Sequence, residues 1–480
     1  MLPDAPEITI FVSTFDMTHD TSRTIKRAAL IVATLSSFLG PFMGSSVNIA
    51  LPTISQEFGM GAVLLGWVNT AFLLAAAIFV IPFGRLGDLY GRKRIYVWGV
   101  LTFTIASALI ATAPTAAIMI LFRVIQGFGS SMIFATGMPI LISVFPVGER
   151  GKALGISISA VYLGLSVGPF VGGVITQHLG WRYIFWLNIP LGLLLIAVIL
   201  FMLRGDWAEA KGARFDFVGS ILLGVALLFT MYGFSTLPSA LAAVLIAAGL
   251  ASLTGFVYYE QRIEHPLVDI SLFRHNTVFA FSNLAALINY SATFAVGFML
   301  SLYLQNLKSL SPQEAGLVLM SQPVVQTLFS PLAGRLSDRI EPRTVASSGM
   351  ALGLVGLLCL VFLTADSSIG YISFCLILLG LSFALFSSPN TNAIMSSVER
   401  RYYGVAGATV SSMRQLGMMF SMGILMMLLS LTLGQSAVEP SNYDRFVTCC
   451  RIAFLVFAAL SFGGIFASLA RGKLRPGPPE

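Results

Sequence analysis

The sequence predicts an all-α membrane protein of fourteen transmembrane helices, built as two six-helix bundles with two further helices between them. Three observations carry this. Hydrophobic residues make up 56% of the 480 residues and charged residues only 10%, against about 25% charged in a soluble domain, which excludes a water-soluble fold. Uncharged stretches recur at the length of roughly 20 residues that a helix needs to cross about 30 Å of hydrocarbon. Finally, the charged turn at 84–94, GRLGDLYGRKR, returns in shorter form at 334–343, GRLSDRIEPR, each time between two apolar runs. Two such turns in corresponding places of two halves indicate one unit used twice.

Taken in order, Arg27 to Glu57 brackets the first span, Glu57 to Arg85 the second and Arg94 to Arg123 the third. A fourth, at 117–145, carries Arg123 inside it. The fifth lies between Lys152 and Arg182, and the sixth at 183–203. The uncharged interval 217–259 is too long for one span, and Pro238 splits it into the seventh and eighth. The rest are expected near 278–301, 315–334, 344–364, 370–392, 406–432 and 450–470. The chain then divides into a polar, disordered tail at 1–26, a first bundle at 27–203, an inserted pair at 204–276, a second bundle at 277–470 and a tail at 471–480.

Basic residues fix the orientation. With the N-terminus inside, inner segments hold 22 Lys and Arg against 4 in outer segments, leaving Arg123 and Arg414 within helices. This places both termini in the cytoplasm and the chain in the cytoplasmic membrane. The net charge of +7 therefore reads as a topology signal, with anionic lipid as its partner rather than nucleic acid. The four cysteines have neither metal spacing nor a disulfide pattern, and no cleaved signal peptide is evident.

Several of these stretches are similar to signatures of the major facilitator superfamily, and specifically of its fourteen-helix drug:proton antiporter branch. GRLGDLYGRKR resembles the family loop after helix two, with Gly84, Asp88, Gly91, Arg92 and Lys93 in place. RVIQG (Arg123, Gln126, Gly127) resembles the helix-four signature. GLSVGPFVGG, carrying Gly164, Gly168, Pro169, Gly172 and Gly173, resembles the helix-five antiporter signature. WRYIFWLNIPLG and SSMRQLG look like segments typical of the branch. The likeness covers nearly the whole chain beyond about residue 25. It implies alternating access about a midplane site, a multidrug-type export function and proton coupling. One departure stands out. Where the branch places an acidic residue in helix one, the run FMGSSVNIALP has Met43, which leaves proton coupling and cation binding without their usual carboxylate.

The residues themselves allow a plain reading and a functional one. Gly84, Asp88, Gly91, Arg92 and Lys93, with Gly334 and Asp338 in the second half, form either solvated turns or a conformational latch. In the latch, Asp88 accepts hydrogen bonds from Arg92 or from a neighbouring helix N-terminus. Gly164, Gly168 and Gly172 lie four apart on one helix face beside Pro169, which suits close packing and a mobile interface between the halves. Arg123, a charge inside the bilayer, requires a partner or a water-lined cavity; helix-one carbonyls and Gln126 are the expected partners. Arg414 is read as nearer a helix end.

Polar residues on apolar helices are the candidate cavity wall: Asn48, Asn69, Asn283, Asn289, Gln322, Gln326 and Asn390, with Arg414 and, at the missing acidic position, Met43. All Asp and Glu residues map to loops, tails or helix ends. A cavity with two arginines and no carboxylate attracts neutral and anionic molecules over cations. No phosphate loop, metal cluster or nucleophile arrangement is found, so neither an enzyme nor a bound cofactor is expected. The expected partners are a small amphiphilic substrate, protons and membrane lipid, and a monomer is expected. A membrane receptor or scaffold is the alternative of another class; paired latch turns and a Gly/Pro helix argue against it.

Overall fold

The computed structural model describes residues 7–203, 205–208, 215–264, 266–268, 270–399 and 403–472. Helices dominate, and among the described residues there is no strand. The first bundle comprises α1 (Glu7–Phe58), α2 (Ala62–Tyr90), α3 (Arg92–Ala111), α4 (Ala116–Val144), α5 (Val147–His178), α6 (Arg182–Trp186) and α7 (Asn188–Met202), the last two separated only by Leu187. A hairpin follows, α8 (Phe217–Thr236) and α9 (Ala240–Glu260), and the short α10 (Ile270–His275) leads out of it. The second bundle holds α11 (Thr277–Leu302), α12 (Pro312–Leu319), α13 (Ser321–Arg339), α14 (Pro342–Val361), α15 (Ile369–Ser396), α16 (Tyr403–Thr432) and α17 (Tyr443–Ala470).

Thirteen of the described helices are long and apolar enough to cross a membrane. The remaining expected span, 315–334, is divided into α12 and α13 at Met320. Pro323 explains the break: it has no N–H to donate to the carbonyl one turn back at Leu319, and α13 restarts with Val324 N–H on Met320 O at 3.0 Å. α13 is also the least apolar of the fourteen, because its last turns carry Arg335, Asp338 and Arg339 and its first turns place Gln322 and Gln326 on the central cavity.

Two boundaries differ from the sequence expectation. α1 begins at Glu7, so the helix extends well upstream of residue 27 in place of a disordered tail; no glycine or proline interrupts 7–26. At the other end Arg471, expected in a solvated tail, is 1% exposed. Its guanidinium donates to Ser282 Oγ at 3.2 Å and Asn390 Oδ1 at 2.9 Å, its Nε to Ser468 O at 2.7 Å, and it also meets Ser468 Oγ. This gathers α11, α15 and α17 around one cation. Burial pulls the Arg471 guanidinium down to about 10, still charged at neutral pH.

Within each half the helices pack as a bundle: α1 against α5, α3 against α4 and α2 against α4 in the first, α14 against α15 and α17, and α11 against α16, in the second. The halves meet where α2 lies on α16 and where α5 lies on α12 and α13. The hairpin turns at Pro238 as expected, with Ser239 Oγ capping α9 through Ala242 N–H at 3.1 Å. Its α8 packs on both α2 and α16, and Ser430 Oγ of α16 donates to Leu237 O at the turn, 2.6 Å. Much of α9 faces outward with Leu241, Val244, Leu250 and Tyr258 exposed, which suits a helix surrounded by lipid.

Candidate functional site: a central cavity sealed at one end

A cavity of about 360 Å³ lies between the halves, within the range of roughly 300–1,000 Å³ usual for small-molecule sites. Its wall is mostly apolar and aromatic, with Phe72, Phe134, Tyr162, Tyr290, Phe294 and Phe383. Polar side chains interrupt it, among them Asn48, Asn69, Gln322, Gln326, Gln415, Arg123 and Arg414. Among the described residues no Asp or Glu lines it.

Arg123 is the buried charge of the site, 2% exposed. Its Nε donates to Val68 O at 2.8 Å and its Nη1 to Gln126 Oε1 at 2.6 Å; Gln126 Nε2 in turn donates to Ser107 Oγ at 2.8 Å. The guanidinium sits 4.5 Å from the centre of the Phe72 ring. The carbonyl partner therefore comes from helix two rather than helix one, because Gly127 lets α4 close on α2: a Cβ there would lie 2.3 Å from Phe72 O. The chain Arg123–Gln126–Ser107 ties α4 to α3 as well. These bonds satisfy part of a guanidinium's five donors without neutralising its charge.

Arg414 stands well inside α16, not near its end, and lines the cavity. It donates to Thr391 Oγ1 at 3.0 Å and lies 5.7 Å from the Tyr290 ring centre. Asn48 accepts from Asn69 Nδ2 at 2.6 Å, joining α1 to α2 at the cavity's head. The structure thus brings Asn48, Asn69, Gln322, Gln326 and Arg414 together with Arg123. Four expected wall residues are elsewhere. Met43 is 1% exposed, with its Sδ 3.3 Å from Asn188 Nδ2. Asn283 bonds its own helix at Phe279 O, Asn289 is buried, and Asn390 is engaged by Ser282 O and Arg471. Helical period explains all four: each is polar, or replaces an acid, on a face turned toward a neighbouring helix.

One end of the cavity is closed by bonds between the halves. Ser301 Oγ donates to Asn48 O at 2.6 Å and Gln305 Nε2 to Ile49 O at 2.9 Å. Ala62 N–H reaches Ser436 O at 3.0 Å, and Thr70 Oγ1 contacts Met426 Sδ at 3.0 Å. Gly173 and Gly316 bring α5 and α12 into backbone contact: a Cβ on Gly173 would lie 2.5 Å from Pro312 O, and one on Gly316 2.3 Å from Pro169 O. From this seal the lining continues past Gly44 and Gly40 to Ala33, Met138 and Ile158, toward the end of the molecule that holds Gly91.

The helix-five glycines divide between two tasks. Gly164, Gly168 and Gly172 face α1 of the same half, where Cβ atoms would meet Phe38 O at 2.5 Å, Ser45 Oγ at 1.9 Å and Ser46 Cα at 2.7 Å. Ser46 Oγ bonds Gly168 O at 2.9 Å. The contact between halves falls to Pro169 and Gly173.

The signature turn at 84–94 is nearly all helix. Only Gly91 interrupts it, at φ +112°, a conformation that favours glycine. Asp88 accepts from Arg92 Nε at 2.8 Å, and Arg92 Nη1 donates to Ser143 Oγ of α4 at 2.9 Å. Lys93 places its ammonium on Leu203 O. Gly84 lies near Ala135 of α4, 3.9 Å from where its Cβ would be. Asp206 is the participant that the sequence reading missed. It accepts from Lys93 N–H at 3.0 Å, pairs with Arg94 at 3.2 Å, and leaves no room for a Cβ on Gly91. A carboxylate from a distant loop thus caps α3 where the local sequence offers only Gly91. In the second half Gly334 lies against Ser388, and Asp338 Oδ1 is 3.4 Å from Asn392 Nδ2.

Two helical bundles around a cavity closed at one end, with a charged turn in each half, have the form of a membrane transporter rather than an enzyme. A family model described as Major Facilitator Superfamily matches residues 33–259 and 283–480, and the chain belongs to that superfamily. It is 30% identical over 449 residues to the riboflavin transporter RibZ of Clostridioides difficile (strain 630), covering 92% of this chain and 97% of that protein. It is also 30% identical over 393 residues to the tetracenomycin C resistance and export protein of Streptomyces glaucescens, covering 81% and 73%. Among solved structures, a peptide transporter POT in complex with sulfate superposes with a TM-score of 0.67 at 12% identity, covering 92% of this chain and 97% of that one. The chain is a multi-pass membrane transporter of small molecules.

Proposed function

We propose that this protein exports small amphiphilic molecules, neutral or anionic, across the cytoplasmic membrane by alternating access, driven by protons. The observation that carries the substrate class is the wall of the cavity: aromatic rings, two guanidinium groups and, among the described residues, no carboxylate. Such a wall stacks on flat or apolar bodies and favours negative over positive charge. The named substrates of similar proteins, riboflavin and tetracenomycin C, support a bulky ring system. Multidrug resistance protein Stp of Mycobacterium tuberculosis (strain CDC 1551 / Oshkosh), 30% identical over 425 residues, supports export of more than one compound.

In this reading residues 27–203 and 277–470 rock against each other about the cavity, with 204–276 as the inserted hairpin. Asp88, Arg92 and Asp338, with Gly84, Gly91, Lys93 and Gly334, are the latch that stabilises one of the two states. The basic turns lie on the cytoplasmic side, so the cavity faces inward and the seal is external. The protein works as a monomer in contact with anionic inner-leaflet lipid.

Met43 supports a second reading, a proton-independent facilitator or exchanger of neutral and anionic solutes. Flux in proteoliposomes with and without an imposed pH gradient separates the two. Export of a fluorescent anionic amphiphile that follows the gradient bears out proton drive; flux indifferent to it sinks that part. Transport of ethidium-like cations while anionic dyes are ignored overturns the substrate class.

A further inference from the structure

At the inner end of the hairpin two acidic side chains are buried against each other. Asp216, just before α8, is 7% exposed, and Glu260, the last residue of α9, is 3% exposed. Each has one oxygen in use: Asp216 Oδ1 accepts from Gly219 N–H at 2.9 Å, and Glu260 Oε2 from Val268 N–H at 2.9 Å. The other oxygens, Asp216 Oδ2 and Glu260 Oε1, are buried without a donor. Both lie beside Gly219, at 2.0 Å and 2.4 Å from the point a Cβ would occupy there, so their separation is at most the sum of those distances. Tyr259 is the titratable neighbour of both, its hydroxyl a hydrogen-bond partner of Asp216 and within reach of the charge of Glu260. Arg262 turns away, 3.9 Å over the Tyr258 ring, and among the described residues Asp216 supplies the charge acting on Glu260.

Two ionised carboxylates cannot face each other in this way. Desolvation and repulsion both oppose it, and among the described residues no positive charge offsets them. One free oxygen on each side makes a two-coordinate site. Zinc takes four ligands and calcium six to eight, and no group of three or more metal-ligating side chains occurs among the described residues. A proton fits, converting one acceptor into the donor the other lacks.

We infer that Asp216 and Glu260 form a proton-binding site, a carboxylic acid–carboxylate pair outside the transport cavity that clasps the start of α8 to the end of α9. Removing the proton leaves two buried negative charges. They separate by giving up the anchors to Gly219 and Val268, which frees the segment leading through α10 into the second bundle. The pH on the side of the basic turns thereby acts on the connection between the halves, whatever the coupling of the transport cavity.

The test is an infrared titration of the full-length protein in lipid nanodiscs, alongside its melting temperature across pH. A protonated-carboxyl C=O band is expected at neutral pH, where ordinary carboxylates are ionised, and it is absent from Asp216→Asn and Glu260→Gln. In the wild type the melting temperature falls as pH rises and the band bleaches. In Glu260→Gln, whose amide can still donate to Asp216, it stays level over the same interval, which separates loss of the proton from loss of the fold. Absence of the band in the wild type, or a band unchanged by both substitutions, overturns the inference. So does stabilisation by sodium or calcium without the acid band, which assigns the pair to a metal ion.

Discussion

Replacing Arg123 with methionine tests the charge at the heart of the cavity. Stability and selectivity should respond differently. The substitution deletes two charge-assisted hydrogen bonds, to Val68 O and Gln126 Oε1, worth about 1.5–3 kcal/mol each. It also removes a membrane-buried cation costing about 2.5–3.5 kcal/mol. The net loss lies between nothing and about 3.5 kcal/mol, small enough for the variant to fold and be purified, and Gln126 keeps its bond to Ser107. Selectivity takes the full effect. An anionic group seated about 4 Å from the guanidinium gains about 1 kcal/mol in water-like surroundings and about 4 kcal/mol at an effective dielectric constant near 20. Arg123→Met should therefore raise the KM for an anionic dye between about 5-fold and about 1,000-fold, and leave a neutral analogue of the same shape nearly untouched. Arg123→Lys, which keeps charge but loses the fork to Val68 and Gln126, should fall between. Paired flux measurements in proteoliposomes, with melting temperatures as control, decide it. If both variants melt early yet preserve the ratio of anionic to neutral flux, Arg123 is a tie between α4 and its neighbours and the electrostatic account of the substrate is wrong.

Three further substitutions probe the frame around the cavity. Gly173→Val puts side-chain atoms where Pro312 O already stands 2.5 Å from the position of a Cβ; the seal should be propped apart, seen as faster labelling of a cysteine placed at Asn48 from the sealed side, and unchanged labelling refutes it. Gly91→Ala forces an L-residue to φ +112° against the Asp206 carboxylate, a strain of about 1–3 kcal/mol, and should lower the melting temperature more than Gly84→Ala, whose Cβ finds space. Asp206→Asn should cost less than Gly91→Ala, since an amide oxygen can still accept from Lys93 N–H, and should make stability less sensitive to salt because the pair with Arg94 is lost.

Much of the architecture was legible because a bilayer restricts the options. Apolar length names helices without tertiary information. Only the span broken at Met320 blurred, since Pro323 divides it and α13 runs on into the charged end at Arg335, Asp338 and Arg339. The site was half legible. Polarity identified Asn48, Asn69, Gln322 and Gln326, but could not separate them from Asn283 and Asn390, which differ only in the direction their helices turn them. Arg471 read as one more tail charge, because the oxygens that hold it come from Ser282, Asn390 and Ser468, far apart in the chain. Asp206 was silent for the same reason: the amide it caps belongs to a helix more than a hundred residues away. Asp216 did carry a local signal, standing directly before an apolar run as an N-cap, whereas its meeting with Glu260 needed the hairpin to close.

The hairpin also gives the molecule handedness in the plane of the membrane. By lying on α2 and α16 it shields one of the two seams along which the halves meet, while the seam formed by α5 with α12 and α13 has no such cover from α8. An oily solute dissolved in the bilayer meets two unlike flanks, one shuttered and one bare. On the flank that α8 leaves uncovered, Tyr162, Ser166 and Thr327 stand at the join.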